Sequence, residues 1–326
     1  MENQVSEFKV GVEVYERLFE RFYANSGSGI DEAASSHWKE FSKFFSVTKQ
    51  SNGKYFLNGY GFGGQDRLGR KDRLYAFIGN TLQFAWLKDL GLINDIIAGY
   101  KTVRSMGLPF SQDAFRQVCT LHLIKKKLEK ILNPQRILVI GDGPGILSAL
   151  LFKQFPDAQI ILADLGQVLF FQSYQLKKAF PDAQQWIADE DVSSIGKNGF
   201  VFCPADHIDS IPKGQIDLTA NVASMQEMDP SIIENYFKLI RERNTRFFYN
   251  CNRLEKRLVG GEITRFMEYP WKPEDIYLVD EICPWHQWFF EPKACNAGKA
   301  RYKKITVPYI YVYDGPHWHR LAQLSN

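Results

Sequence analysis

The chain has 326 residues, 45% of them apolar and 24% charged, proportions that suit one large folded domain, or a core domain with a cap, and exclude a disordered or fibrous chain. Its formal net charge of +3 is too small to point to nucleic acid or to an acidic membrane surface. The opening Met-Glu-Asn-Gln-Val has no basic start and no apolar run after it, and no stretch approaches the roughly 18 uninterrupted apolar residues of a membrane span, so a cytoplasmic location is expected.

In chain order, Phe8, Val12, Tyr15, Phe19 and Phe22 recur every three or four residues, the period of one helix face. Residues 55–64, rich in glycine and aromatics, read as turns or a hairpin, because glycine lifts the restriction on φ. A charged run follows over 66–73, in which Arg67, Arg70, Lys71 and Arg73 read either as a solvated loop face or as a grip on an anionic substrate. Phe115, Val118, Leu121, Leu128 and Ile131 mark a further helix, with Ser111 as its N-cap and Asp113 in its first turn. After Asn133-Pro134 the pattern becomes strand–helix alternation. Residues 136–140 are an Ile/Leu/Val run suited to a strand buried on both faces. Helices over 146–155, 168–180 and 230–242 separate strands over 159–163, 200–203, 216–220 and 247–250. Apolar stretches over 276–282 and 305–313 complete the count. The expected fold is α/β, a doubly wound, seven-stranded, mostly parallel sheet. Residues 116–326 form the main domain and residues 1–115 a helical lid or dimerisation region, which makes a homodimer an expected assembly.

Gly141-Asp142-Gly143-Pro144-Gly145 follows the first buried strand and precedes a helix. Such a turn points backbone N–H groups and the helix N-terminus at a ligand. A dinucleotide fingerprint spaces its glycines G-x-G-x-x-G, the last one allowing close packing of helix on strand; here that position is the bulky Ile146. The G-x-G-x-G spacing resembles instead the Rossmann-like class I S-adenosylmethionine-dependent methyltransferases. That resemblance implies S-adenosyl-L-methionine as cofactor, its methionine part wrapped by Gly141, Asp142, Gly143 and Gly145. Asp164, ending the second strand before Leu165, can accept both ribose hydroxyls, or is a turn residue at a strand end. Asp206, with His207 after it, stands where methyltransferases commonly contact adenine; a simple turn acid is the alternative. Asn221, from the fourth strand, joins this cofactor set. Val139 departs from the pattern, since many methyltransferases carry an acid there.

Residues 218–237, with Asn221 and Ser224-Met225-Gln226-Glu227-Met228, resemble the sugar O-methyltransferase family. Ser35-Ser36-His37-Trp38 and Asn250-Cys251-Asn252-Arg253 look like the same family. The resemblance implies methyl transfer to a hydroxyl of a small molecule, a sugar, a glycoside or another natural product. Gln226 occupies the place where plant-type O-methyltransferases put a catalytic histidine. Glu227 is a candidate general base and Gln226 a candidate for orienting the hydroxyl; alternatively Glu227 and Asp229 are first-turn acids favoured by the helix dipole. Among the histidines, His207, His286, His317 and His319 are placed to reach the cleft. His286, in Pro284-Trp285-His286-Gln287-Trp288, is the second candidate base, and that aromatic stretch, with Phe62, suits stacking on a ring.

No metal is expected. Cys119, Cys203, Cys251, Cys283 and Cys295 form no close pair at metal-binding spacing and read as free thiols in a reducing compartment. His317 and His319 lack a third ligand of suitable spacing, and the fourth- and fifth-strand exits carry Asn221 and Asn250 where metal-dependent catechol-type enzymes need acids. From other classes, a nicotinamide-dependent oxidoreductase and a cofactor-binding protein without catalysis remain alternatives.

Overall fold

The computed structural model describes residues 12–24, 34–41, 46–58, 70–290, 299–302, 305–312 and 315–325. Phe8, Phe62, Arg67 and Cys295 lie outside them. The chain begins with helix α1 (Val14–Phe19), which runs on as a π-helical turn, then α2 (Ser36–Phe41) and an antiparallel pair, β1 (Ser46–Lys49) and β2 (Tyr55–Asn58). Of the stretch 55–64 expected to form turns or a hairpin, residues 55–58 are the second strand of this pair and residues 59–64 lie outside the described residues. Helices α3 (Arg70–Leu87), α4 (Leu92–Ser105) and α5 (Gln112–Leu128) follow. Arg70, Lys71 and Arg73 therefore open a helix rather than lie on a loop. Ser111 caps α5 as its sequence predicts, accepting the Ala114 N–H at 3.1 Å. Position 115/116 falls inside this helix, where Phe115 and Val118 share one core.

The alternating part contains β3 (Arg136–Ile140), α6 (Ile146–Gln154), β4 (Gln159–Asp164), α7 (Gly166–Ala179), β5 (Gln185–Ile187), β6 (Gly199–Pro204), β7 (Leu218–Val222), α8 (Pro230–Glu242) and β8 (Phe247–Arg253). The hairpin β9 (Glu255–Arg257) and β10 (Ile263–Arg265) comes next, then β11 (Ile276–Ile282), β12 (Trp288–Phe290), β13 (Lys299–Tyr302), β14 (Ile305–Val312) and β15 (His317–Gln323). The main sheet has the order β11-β15-β8-β7-β3-β4-β6-β5. Its six strands from β8 to β5 are parallel, and β15 and β11 are antiparallel to their neighbours. The doubly wound, mostly parallel sheet is present, with eight strands in place of seven. The apolar β14 pairs with β12 and β13 in a separate small sheet, while the polar-looking His317–Gln323 fills the slot between β8 and β11.

Period-two alternation places the two faces of the sheet. Ile137, Val139, Ile160 and Leu162 pack under α5, α6 and α7, whereas Leu138, Ile140 and Ile161 pack with Ile233, Tyr236, Phe237 and Ile240 of α8. Much of the aromatic content goes into the first of these cores: Phe19, Tyr55 and Tyr174 surround Phe170 with ring centroids 5.1 to 6.0 Å apart. Leu18 buries completely in the same core. Half-buried ion pairs fasten α1 to the exit of β5, Arg17 to Asp191 at 2.7 Å and Arg21 to Asp189 at 2.8 Å. The N-terminal segment is thereby held beside the carboxyl ends of the strands, where an open α/β sheet binds its ligands. Among the described residues no helix is long and apolar enough to cross a membrane.

Candidate active site

A cleft of about 260 Å³ opens at the carboxyl ends of β3, β4 and β7. Gly141, Asp142, Gly143 and Pro144 form one wall. Gly141 has φ of +66°, and a Cβ there would overlap the Ser224 hydroxyl. Both features demand glycine. Gly145, at φ +83°, starts α6 and packs on Gln172 instead of lining the cleft. Ile146 is buried directly after it, occupying the space that a dinucleotide fold keeps open with glycine. The Asp142 carboxylate accepts the N–H groups of Leu147 at 3.0 Å and Ser148 at 2.7 Å. It is the cap of α6, and burial pushes its pKa up to about 6 against those hydrogen bonds.

Asp164 and Leu165 lie in the same cleft. Asp164 accepts from the Leu165 N–H at 2.9 Å and from Gln172 Nε2 at 2.7 Å. Removal from water nevertheless drives its pKa up to about 7, the nearby Asp142 charge adding to the shift. Besides Gly145, three expected cofactor residues do not line the cleft. Asp206 and His207 sit on the 3-10 turn Ala205–Ser210, which leaves both side chains largely in solvent; Ala205 reaches the cleft in their place. Asn221 lies wholly buried behind the loop. Its Nδ2 donates to the Ile140 carbonyl and to Ser224 Oγ, and its Oδ1 accepts from Met225 N–H and Asn252 Nδ2. With its donors and acceptor so engaged it supports the loop from beneath.

The exit of β7 makes the opposite wall. Ala223 holds φ of +56°, a strained value for a residue with a Cβ and one that concentrates at functional sites. The turn Met225–Glu227 follows. Gln226 lines the cleft, but its Oε1 accepts the Arg253 N–H at 2.8 Å and so pins the end of β8. Glu227 is held by Lys256 Nζ at 2.6 Å and by His37 Nε2 at 3.6 Å, while its carbonyl accepts from the Ser35 hydroxyl. Asp229, where α8 begins, also lines the cleft, and its buried Oδ1 has no hydrogen-bond partner among the described residues. Burial first, then Glu262, raises its pKa. Arg253 is the cation of the cleft, and among the described residues no carboxylate pairs with it. Strand β8 continues to Arg253, so Asn250 is an interior strand residue rather than an exit.

Of the four histidines expected near the cleft, His286 and His317 reach it, ring over ring at 4.9 Å. His319 faces the Tyr249 hydroxyl at 3.2 Å, and His207 stays outside. Burial depresses His286 far below an ordinary imidazole, with His317 and Arg116 adding to the effect, and brings His317 down to about 3. Trp285 packs on His319 and Trp288 on Trp86, so neither tryptophan lines the cleft; Trp38 and Tyr236 do. His37, beside Glu227 and between the cleft-lining Ser35 and Trp38, is not among the four histidines expected there, although it lies in Ser35-Ser36-His37-Trp38. Burial, Lys256 and Arg253 lower its pKa and Glu227 opposes them. The cysteines, which form no close pair along the sequence, are brought together by the fold: Cys251, Cys283 and His286 have their ligand atoms within 4.8 Å of one another.

No protein-family model and no curated protein matches the chain. Solved structures do. A Thermoplasma acidophilum protein is similar over 69% of this chain and 96% of its own, at 10% identity and a TM-score of 0.42. A Clostridium acetobutylicum S-adenosylmethionine-dependent methyltransferase is similar over 63% and 89%, at 14% identity and a TM-score of 0.35. An Escherichia coli rRNA methylase is similar over 71% and 76%, at 12% identity and a TM-score of 0.35. Identities this low concern chain path alone.

Proposed function

We propose that the cleft binds S-adenosyl-L-methionine and that the protein transfers its methyl group to a hydroxyl of a small molecule, a sugar, a glycoside or another natural product. One observation carries this reading. A single cavity joins the glycine loop and Asp164 at one end to Glu227, Asp229 and Arg253 at the other. A cofactor with a ribose fits the first end, because the desolvated Asp164 carboxylate gains two hydroxyl donors, and Gly141 and Gly143 bring bare backbone to the ligand. When bound, the cofactor supplies an electrophilic methyl group.

The chain's own residues then prepare the acceptor. A hydroxyl attacks poorly until its proton leaves, and a positioned base contributes about 10²- to 10⁴-fold. Asp229 is the carboxylate with an oxygen available for that proton and a raised affinity for it. Glu227, fixed by Lys256 and His37, orients the same wall, and Arg253 offsets the negative charge that develops on the acceptor oxygen. His286 suits the task less well, since burial disfavours its protonated form. The apolar residues left exposed on α3 and α4, Phe77, Trp86, Ile97 and Tyr100 among them, support reading this region as a dimerisation surface. A radiolabelled-methyl assay against pooled small metabolites tests the function. Label in a small product, strongly reduced in Asp229→Asn, is the expected result; label only in nucleic acid, or none from any pool, contradicts it.

A further inference from the structure

We propose that Cys251, Cys283 and His286 form a binding site for a thiophilic divalent cation of the zinc class, set in the wall of the cleft. The three residues come from separate places. Cys251 lies inside β8, opposite His319 of β15 in the sheet register. Cys283 follows β11 and donates its N–H to the His317 carbonyl at 2.8 Å. His286 turns back over both, with Nδ1 3.3 Å from Cys283 Sγ and 3.6 Å from Cys251 Sγ. Bonds of about 2.3 Å to sulfur and about 2.05 Å to nitrogen at the tetrahedral angle put a sulfur and a nitrogen ligand roughly 3.6 Å apart. Both observed separations are close to that edge, and all three ligand atoms lie within 4.8 Å of one another.

Charge and access agree with this geometry. Two thiolates, one neutral imidazole and one divalent cation sum to zero, which suits a place where all three side chains are buried. Each cysteine loses its proton to solvent as its sulfur binds the ion, and His286 keeps its charge unchanged. The imidazoles of His286 and His317 line the cleft, so the ion has a path from solvent. Three protein ligands leave one coordination position, the arrangement that holds an exchangeable fourth group. His317 stacks on His286 with ring centroids 4.9 Å apart.

The test uses full-length protein without a histidine tag, reduced, stripped with chelator and titrated with cobalt(II). The expected result is about one ion per chain with a thiolate-to-cobalt charge-transfer band and intense tetrahedral visible bands, and release of about two protons per ion. The bands are lost in Cys251→Ser and Cys283→Ser and kept in Cys203→Ser, a buried cysteine outside the cluster. Bands that persist in the Cys251→Ser/Cys283→Ser double variant, or a wild-type protein that gives no thiolate band and releases no protons, overturn the proposal and leave the cluster as thiols hydrogen-bonded to an imidazole. Proton release is read on the wild type, so the test stands even if a variant fails to fold. Cofactor binding is measured separately, and its failure is distinguishable from failure here.

Discussion

Gly141 and Ser224 occupy neighbouring space so closely that a Cβ on the first would overlap the hydroxyl of the second. Ser224 has little room to yield, because Asn221 Nδ2 donates to its oxygen at 3.0 Å. Gly141→Ala is therefore expected to lose about 1–3 kcal/mol of stability from its left-handed backbone alone, with a further loss from the overlap. Ser224→Gly should return only the overlap part. Denaturant unfolding of both single variants and the double variant measures this coupling; additive effects would contradict the packing described.

Asp164 makes ligand binding depend on pH. Its folded pKa of about 7 lies above the ordinary carboxylate value, so the empty protein holds this proton more tightly than the unfolded chain. The contribution of Asp164 to stability is therefore greatest at low pH and declines as pH rises through about 7. A ribose needs the ionised form as acceptor, so affinity for S-adenosylhomocysteine should rise with pH, by about tenfold per unit on the acid side of 7. Calorimetric titration across pH 5.5 to 8.5, conditions chosen to span about that pKa, checks the slope. Asp164→Asn should flatten it and stabilise the empty protein at high pH.

Asp229 and Glu227 are expected to separate kinetically. Asp229→Asn should lower kcat by about 10²- to 10⁴-fold and leave the cofactor dissociation constant unchanged. The raised pKa of Asp229 places the acid limb of the kcat profile above that of an ordinary carboxylate. Glu227→Gln breaks the contacts to Lys256 and His37, so its effect should fall mainly on acceptor KM. Equal losses of kcat in both variants would remove the assignment of the base to Asp229.

The sequence shows the parts of this fold that are local. Ile137 to Ile140 read as a buried strand because nothing polar interrupts them, Ser111 read as a cap, and Pro230 began α8 as its fixed φ allows. Strand β15 was hidden because its polar side chains bond to residues distant in sequence, Arg320 to Asp280 and His319 Nδ1 to Tyr249. The apolar β14 resembled a central strand yet pairs only in the small sheet. The glycine loop and Asp164 were legible, since strand, turn and helix are contiguous. His37 beside Glu227, and Cys251 beside Cys283 and His286, depend on strand order and register, which spacing along one chain does not encode. Asp206 and His207 fall outside the cleft lining because a 3-10 turn, not an extended exit, follows β6.

The most direct test of the central claim is calorimetric titration of the wild-type protein with S-adenosylhomocysteine and, separately, with NAD at pH 8. Saturable binding of S-adenosylhomocysteine at about one site per chain, weakened at least roughly tenfold in Asp164→Asn and absent for NAD, is the predicted result. Binding of NAD without binding of S-adenosylhomocysteine would contradict it.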